Sequence, residues 1–386
     1  MRMVNPPTRA LRCLVLAAAA TALAGCSLLP ERLGGTAAKP KPAALQPNPN
    51  LLGVRQAWTA KIGKVDFPLV VAVSGNVIAA GASDGSIAAF DAGSGREEWR
   101  GNAGAPLAAG IGFDGSTAAV VTRNNDLIAF VGGKEVWRQK LNALSYTPPL
   151  VAGARVFVLG GDRTVTAFDG GTGRRLWNQQ RTGEPLVLRE PGVMLAVGDT
   201  LVVGQGGRLV GMNPLNGTSR WETAVATARG INDVERLIDL VGRVSRVGDT
   251  VCARAFQAAV GCVDAGRGQL LWTQRASGGV GVSGDAANVF GVESDGRVVS
   301  WKREDGTRAW TTDTLLHRGV GTPLALGRSV VVGDETGFVH MLNREDGTLL
   351  NRLTTDGSPI AAAPAAAGNT LVVVTRNGGI YGFVPQ

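Results

Sequence analysis

Residues 153–177 read GARVFVLGGDRTVTAFDGGTGRRLW. The stretch has a fixed grammar. An apolar, β-branched run is followed by a glycine turn, a second strand-like run, an Asp-x-x-x-Gly turn and a last short strand closing on Trp177. Glycine supplies the positive φ that tight turns need, and Asp caps its own backbone two or three residues on. The same grammar recurs in GNVIAAGASDGSIAAFDAGSGREEW (75–99), GDTVCARAFQAAVGCVDAGRGQLLW (248–272) and DAANVFGVESDGRVVSWKREDGTRAW (285–310), with weaker copies starting at Gly115, Gly198, Gly327 and Gly368. The eight starts are 37 to 50 residues apart. A period of this size is the mark of a repeat architecture.

Working outward, a Pro-Leu pair leads into several units: Pro68-Leu69, Pro106-Leu107, Pro149-Leu150 and Pro323-Leu324. Each unit then supplies four short strands joined by hairpin turns, which is a propeller blade. No helical period competes over a comparable length. Trp99, Trp137, Trp177, Trp221, Trp272 and Trp310 close six successive units, and Asn351 takes the place of the indole in the seventh. The eighth unit stops at Gln386 without an outer strand, while Trp58 lies in a strand-like segment with no inner strands before it. The pattern therefore predicts an all-β, eight-bladed propeller over 53–386. Its blades are four-stranded and antiparallel, and the N-terminal strand closes the ring and removes its free edges. Each indole is expected between neighbouring blades. Trp301 stands outside the series and reads as packing.

Composition agrees. Glycine is 55 of 386 residues, 44% of the chain is apolar and 18% is charged, which excludes a wholly disordered chain. Four cysteines are too few for a disulfide scaffold. The N-terminus carries Arg2, Arg9 and Arg12 and no acid, then an apolar run too short to span a bilayer. It ends in Leu23-Ala24-Gly25-Cys26, which looks like a lipobox. Residues 1–25 are thus expected to be a signal peptide, with Cys26 the lipidated residue. Residues 26–52, rich in Pro, Ala and Lys, are expected to be a flexible tether. Ser27 resembles the outer-membrane sorting pattern of lipoproteins. Loss of residues 1–25 removes three arginines and no acid, so 36 basic and 31 acidic residues leave +5. That modest charge points to no nucleic-acid partner.

Searches for catalytic chemistry give little. Two Gly-x-Gly-x-x-Gly matches, at 110–115 and 279–284, open no helix and read as propeller turns. His317 and His340 are far apart with no Cys/His cluster, so no metal site is expected, and no nucleophile has a nearby base. Asp84, Asp91, Asp169, Asp264, Asp295, Asp305 and Asp346 recur evenly, as turn residues do. No cofactor is expected. Cys252 and Cys262 face each other if the chain turns near Gln257; they are either a cross-strand disulfide or two buried thiols.

The turn-and-tryptophan pattern of 167–177 resembles the quinoprotein-type propeller repeat. The whole chain, from lipobox through tether to eight units, resembles the BamB family, lipoproteins of the outer-membrane β-barrel assembly machinery. Two irregular stretches share the likeness. Residues 184–189, Glu-Pro-Leu-Val-Leu-Arg, are similar to that family's Leu-x-Leu-Arg loop. Residues 228–239 are similar to its acidic segment, although Val234-Glu235 replaces Ile-Asp and Val241 stands where a second Asp is usual. The resemblance implies a non-enzymatic outer-membrane scaffold on the periplasmic face, held by its lipid. Its partners would be BamA and the other lipoproteins of the complex, with unfolded outer-membrane proteins as clients. It assigns Leu186, Leu188, Arg189 and Asp239 to the BamA interface. The alternatives are a quinone-cofactor (PQQ-type) dehydrogenase and a propeller binding a small ligand in its central channel. The dehydrogenases place an adjacent Cys-Cys pair at the cofactor, whereas Cys252 and Cys262 are ten apart.

Overall fold

Eight antiparallel sheets of four strands each carry the described chain in the computed structural model, which describes residues 1, 40–181, 187–227 and 237–386. Seven blades are formed by consecutive strands, over residues 72–102, 112–140, 150–179, 194–224, 240–275, 283–312 and 324–354. The eighth takes Ala365–Ala367, Thr370–Val374 and Gly379–Pro385 from the C-terminal end and Val54–Lys61 from the other. Val54 pairs with Pro385 and Lys61 with Gly379, so the ring closes as the repeat count requires. The second strand of each blade is almost wholly buried, as in Val330, Val331 and Val332, because both of its faces meet neighbouring blades. All seven recurrent aspartates accept from backbone amides two or three residues on, for example Asp91 from Ser94 at 2.8 Å and Asp169 from Thr172 at 2.8 Å.

The tryptophans are wedges between blades. Trp58, in blade eight, donates its indole N–H to the Ala92 carbonyl of blade one at 2.9 Å. Trp137, Trp177, Trp272 and Trp310 each do the same to the next blade's turn. Beneath the ring lies the glycine of that turn. Gly95 has φ +71, and a Cβ there would come within 2.5 Å of the Trp58 ring. Asp-x-x-x-Gly is therefore one half of a joint whose other half is the preceding blade's Trp. Trp99 has no such turn to cover. Blade two turns through Gly132-Gly133, and Trp99 meets Phe113 edge-on at 5.9 Å; it is half-buried, as is Trp221, which does cover Gly268. Trp301 is 2% exposed, as packing requires, and has the fully buried Arg254 guanidinium 5.8 Å from its ring.

Asn351 has no turn to wedge against, because the next outer strand is Val54–Lys61 itself. Its amide instead donates to the Leu52 carbonyl at 2.8 Å, and its carbonyl oxygen accepts from Asn48 at 3.0 Å. This corrects the expected extent of the tether. Residues 43–52 run along the outer strand of blade seven, Leu349–Thr354, as a strap. Leu51 N bonds to Leu350 O, Arg352 to Gln46 O, and Ala43 both to Leu316 O and to the Arg318 guanidinium. Absence of an apolar period did not signal flexibility here, since the strap is held through backbone groups. Cys26 and the rest of the expected tether up to residue 39 lie outside the described residues. No described helix is long and apolar enough to cross a membrane.

Arg318, in the segment leading into blade seven, belongs to a buried polar centre with residues of that blade. Asp334 accepts from Arg318 Nε at 2.8 Å, from the Thr336 hydroxyl and from the Phe338 amide, and lies 3.0 Å from His340 Nε2. Asp334 and His340 are essentially inaccessible, at 1% and 0% exposure. Cys252 and Cys262 are direct cross-strand partners in blade five, fully buried and in bonding contact, on a hairpin that turns through Gln257 at φ 49.

Candidate partner-binding site

The corner between blades three, four and five is built around Asp239. Two backbone contacts place it. Leu240 N donates to Gly206 O at 2.9 Å, and Phe256 N donates to the Asp239 carbonyl at 2.9 Å. On the facing side, the turn of blade three carries Arg163 in the left-handed region, φ 64, braced by its own amide to Gly160 O and by Gln205 Nε2 to its carbonyl. This backbone throws the guanidinium across to Asp239, with Nη1 to Oδ1 3.1 Å. The other carboxylate oxygen accepts the Leu188 amide at 2.8 Å. Both oxygens are used inside the protein. Burial pushes the Asp239 carboxyl above its ordinary value, against the opposing pull of the Leu188 N–H and Arg163.

Asp239 thus presents little of itself. What it organises is the backbone at 187–189. Leu188 is half-buried, and Arg189 is exposed with no ion pair among the described residues. Neither residue lies in a strand; the first strand of blade four begins only at Met194, so this loop is not simply an inner strand of the fourth unit. Leu186 and residues 228–236 lie outside the described residues. Val241, where an acid was expected by resemblance, is 2% exposed and bridges to Gly192, so this position offers almost nothing to an outer partner surface. Arg163 escaped the sequence reading, because nothing in Asp162-Arg163-Thr164 announces a left-handed arginine aimed at a residue 76 positions away.

The corner opens onto the ring's central channel. Thr147, Glu190, Gly192 and Val241 line both the cleft beside Asp239 and a channel cavity of about 560 Å³ to which all eight blades contribute. Burial raises the Glu190 carboxyl above its usual value. Among the described residues no group of three or more His, Cys, Asp or Glu side chains converges as metal ligands would.

Ring, blade joint and loop corner together define an eight-bladed propeller of the quinoprotein-repeat class. The family model described as outer membrane protein assembly factor BamB matches residues 83–312. The curated BamB of Burkholderia pseudomallei is 39% identical over 376 residues, covering 96% of this chain and 97% of that protein. The crystal structure of BamB from Moraxella catarrhalis superposes with a TM-score of 0.78 at 25% identity, over 86% of this chain and 99% of that one. Quinohemoprotein alcohol dehydrogenase from Comamonas testosteroni also superposes, with a TM-score of 0.66 over 89% of this chain and 78% of that one. At 15% identity that likeness is one of fold alone. The chain belongs to the BamB family of outer membrane protein assembly factors.

Proposed function

We propose that this propeller is a non-enzymatic scaffold of the outer-membrane β-barrel assembly complex. In this reading Cys26 carries the lipid that holds it at the periplasmic face of the outer membrane. The corner of Leu188 and Arg189, with Leu186 beside them, docks onto the periplasmic part of BamA. The observation that carries the reading is the use of both Asp239 oxygens to fix the loop while Arg189 remains exposed and without an ion pair among the described residues. A preorganised loop presenting an arginine beside leucines is a typical anchor for a protein partner. Asp239 acts as a positioning residue for that surface. The other lipoproteins of the complex and unfolded outer-membrane proteins are further partners. Confinement by the anchor raises the local concentration near the machine.

Charge reversal tests this directly. Arg189→Glu should abolish co-purification of BamA with the lipidated protein from envelopes while leaving the melting temperature unchanged, because the side chain makes no ion pair among the described residues. Undiminished co-purification would sink the interface assignment.

We propose further that Cys252 and Cys262 are oxidised in the exported protein. Closing a loop of this length contributes about 2–3 kcal/mol. Denatured without reductant, both cysteines should resist alkylation, and both should be modified after reduction. Alkylation of both before reduction would establish free thiols.

A further inference from the structure

Arg243, within the first strand of blade five, Leu240–Val247, donates from Nη1 to the Pro364 carbonyl of blade eight at 3.1 Å, three blades away. Its backbone is clamped from both sides. Gly242 N donates to Pro191 O of the blade-four lead-in at 2.6 Å, and Val282 N of blade six donates to the Arg243 carbonyl at 2.8 Å. Gly281 permits that approach, since a Cβ there would fall 2.4 Å from Arg243 N. The guanidinium therefore stands at a fixed place on the wall of the 560 Å³ cavity, exposed to its interior. Burial depresses its pKa, and no carboxylate opposes that shift. Nε and Nη2 have no hydrogen-bond partner among the described residues. The walls around it are mainly apolar, with Val70, Val73, Ile111, Val193, Val280 and Ile360 among them.

A guanidinium stays protonated in any protein, and its unused N–H donors at a concave apolar wall are available to an anionic acceptor. Its planar fork matches a carboxylate in two parallel hydrogen bonds. Apolar walls with one fixed cationic group are the usual composition of a small-molecule site. We propose that the central channel binds a small apolar monocarboxylate, with its carboxylate on Arg243 Nε and Nη2 and its apolar body against the channel wall. Glu190, at the mouth on the blade-four side, excludes ligands with a second negative charge.

The test uses the full chain in a non-ionic detergent and 2-naphthoate as probe, by equilibrium dialysis with the detergent contribution subtracted. Saturable, one-to-one binding is expected. The uncharged analogue 2-naphthalenemethanol should bind roughly ten- to hundredfold more weakly, the value of a charge-assisted pair. Arg243→Gln should weaken naphthoate by a similar factor and leave the alcohol unaffected. Val73→Trp narrows the channel from blade one without touching Arg243, and should weaken both probes. Absence of saturable binding would overturn the proposal. So would naphthoate affinity that survives Arg243→Gln, or that is indifferent to Val73→Trp in a protein of unchanged melting temperature.

Discussion

Trp58→Ala should lower stability by about 3–5 kcal/mol, the cost of truncating a buried indole. In a ring of this size that is a fall in melting temperature of roughly 5 °C. Trp58 is 9% exposed, donates to Ala92 and covers the positive-φ Gly95. It is also on the strand that closes the ring, so its loss loosens the joint between blades eight and one as well as leaving a cavity. Trp99→Ala is the matched comparison. Trp99 is half-buried and faces a blade without the glycine turn, so its truncation should cost clearly less. Equal shifts in thermal unfolding for the two variants would refute the wedge account.

Asp334→Ala should be comparably damaging, at about 3–5 kcal/mol, because it strips a buried arginine of its counter-charge. Arg318 would lose its carboxylate and His340 its hydrogen-bond partner. The strap would feel the change too, since Arg318 also holds the Ala43 carbonyl. Arg318→Met in the same chain should recover part of the loss by removing the stranded charge, and failure to do so would count against the charge argument.

The same centre sets an acid sensitivity. Burial pushes the Asp334 carboxyl up, but hydrogen bonds from His340, Phe338 N–H, Thr336 and Arg318 outweigh it and hold the group well below the usual carboxylate range. Its contribution is complete above the unfolded value of about 4 and fades as pH falls through the native value. Burial likewise lowers the pKa of His340, only partly offset by Asp334. With Nε2–H given to Asp334, Nδ1 is left without a partner, so a second proton would be buried with no acceptor. The unfolded histidine takes up its proton first, near pH 6.5, and stability falls as pH drops below that point. Melting temperatures across pH 5–7 should flatten in His340→Asn. An unaltered slope in that variant would exclude this origin.

The ring was legible because its information is local and repeated. Asp-x-x-x-Gly and Trp recur in register, and Trp58 could be matched to a vacancy at Gln386 by counting. The strap was not legible, because Asn48 and Asn351 are 303 residues apart and each, read alone, is an ordinary polar residue. Asp239 was picked out through resemblance, yet as a contact. Its inward role depends on the φ of Arg163 and on the Leu188 amide, neither of which has a side-chain signature. Arg318, Asp334 and His340 meet across a turn and two neighbouring blade elements, so no spacing rule unites them. Arg243 follows the same logic, since an arginine in an alternating strand reads as a solvated face until the ring places that face at its axis.

Pairing Val54–Lys61 with Gly379–Pro385 also imposes an order in time. A chain made from its N-terminus presents Trp58 long before the strand that receives it, Gly379–Pro385. Throughout that interval seven blades can form in sequence while the ring remains an open arc, with an unpaired strand at one end and an unfilled blade at the other. Such an intermediate is exposed to premature pairing with other extended chains. A circular permutant that begins at Ile62 and carries residues 54–61 behind Gln386 through a short turn would shorten the wait to a single hairpin. It would refold faster, with less loss to aggregation, while keeping the strand pairing that closes the ring.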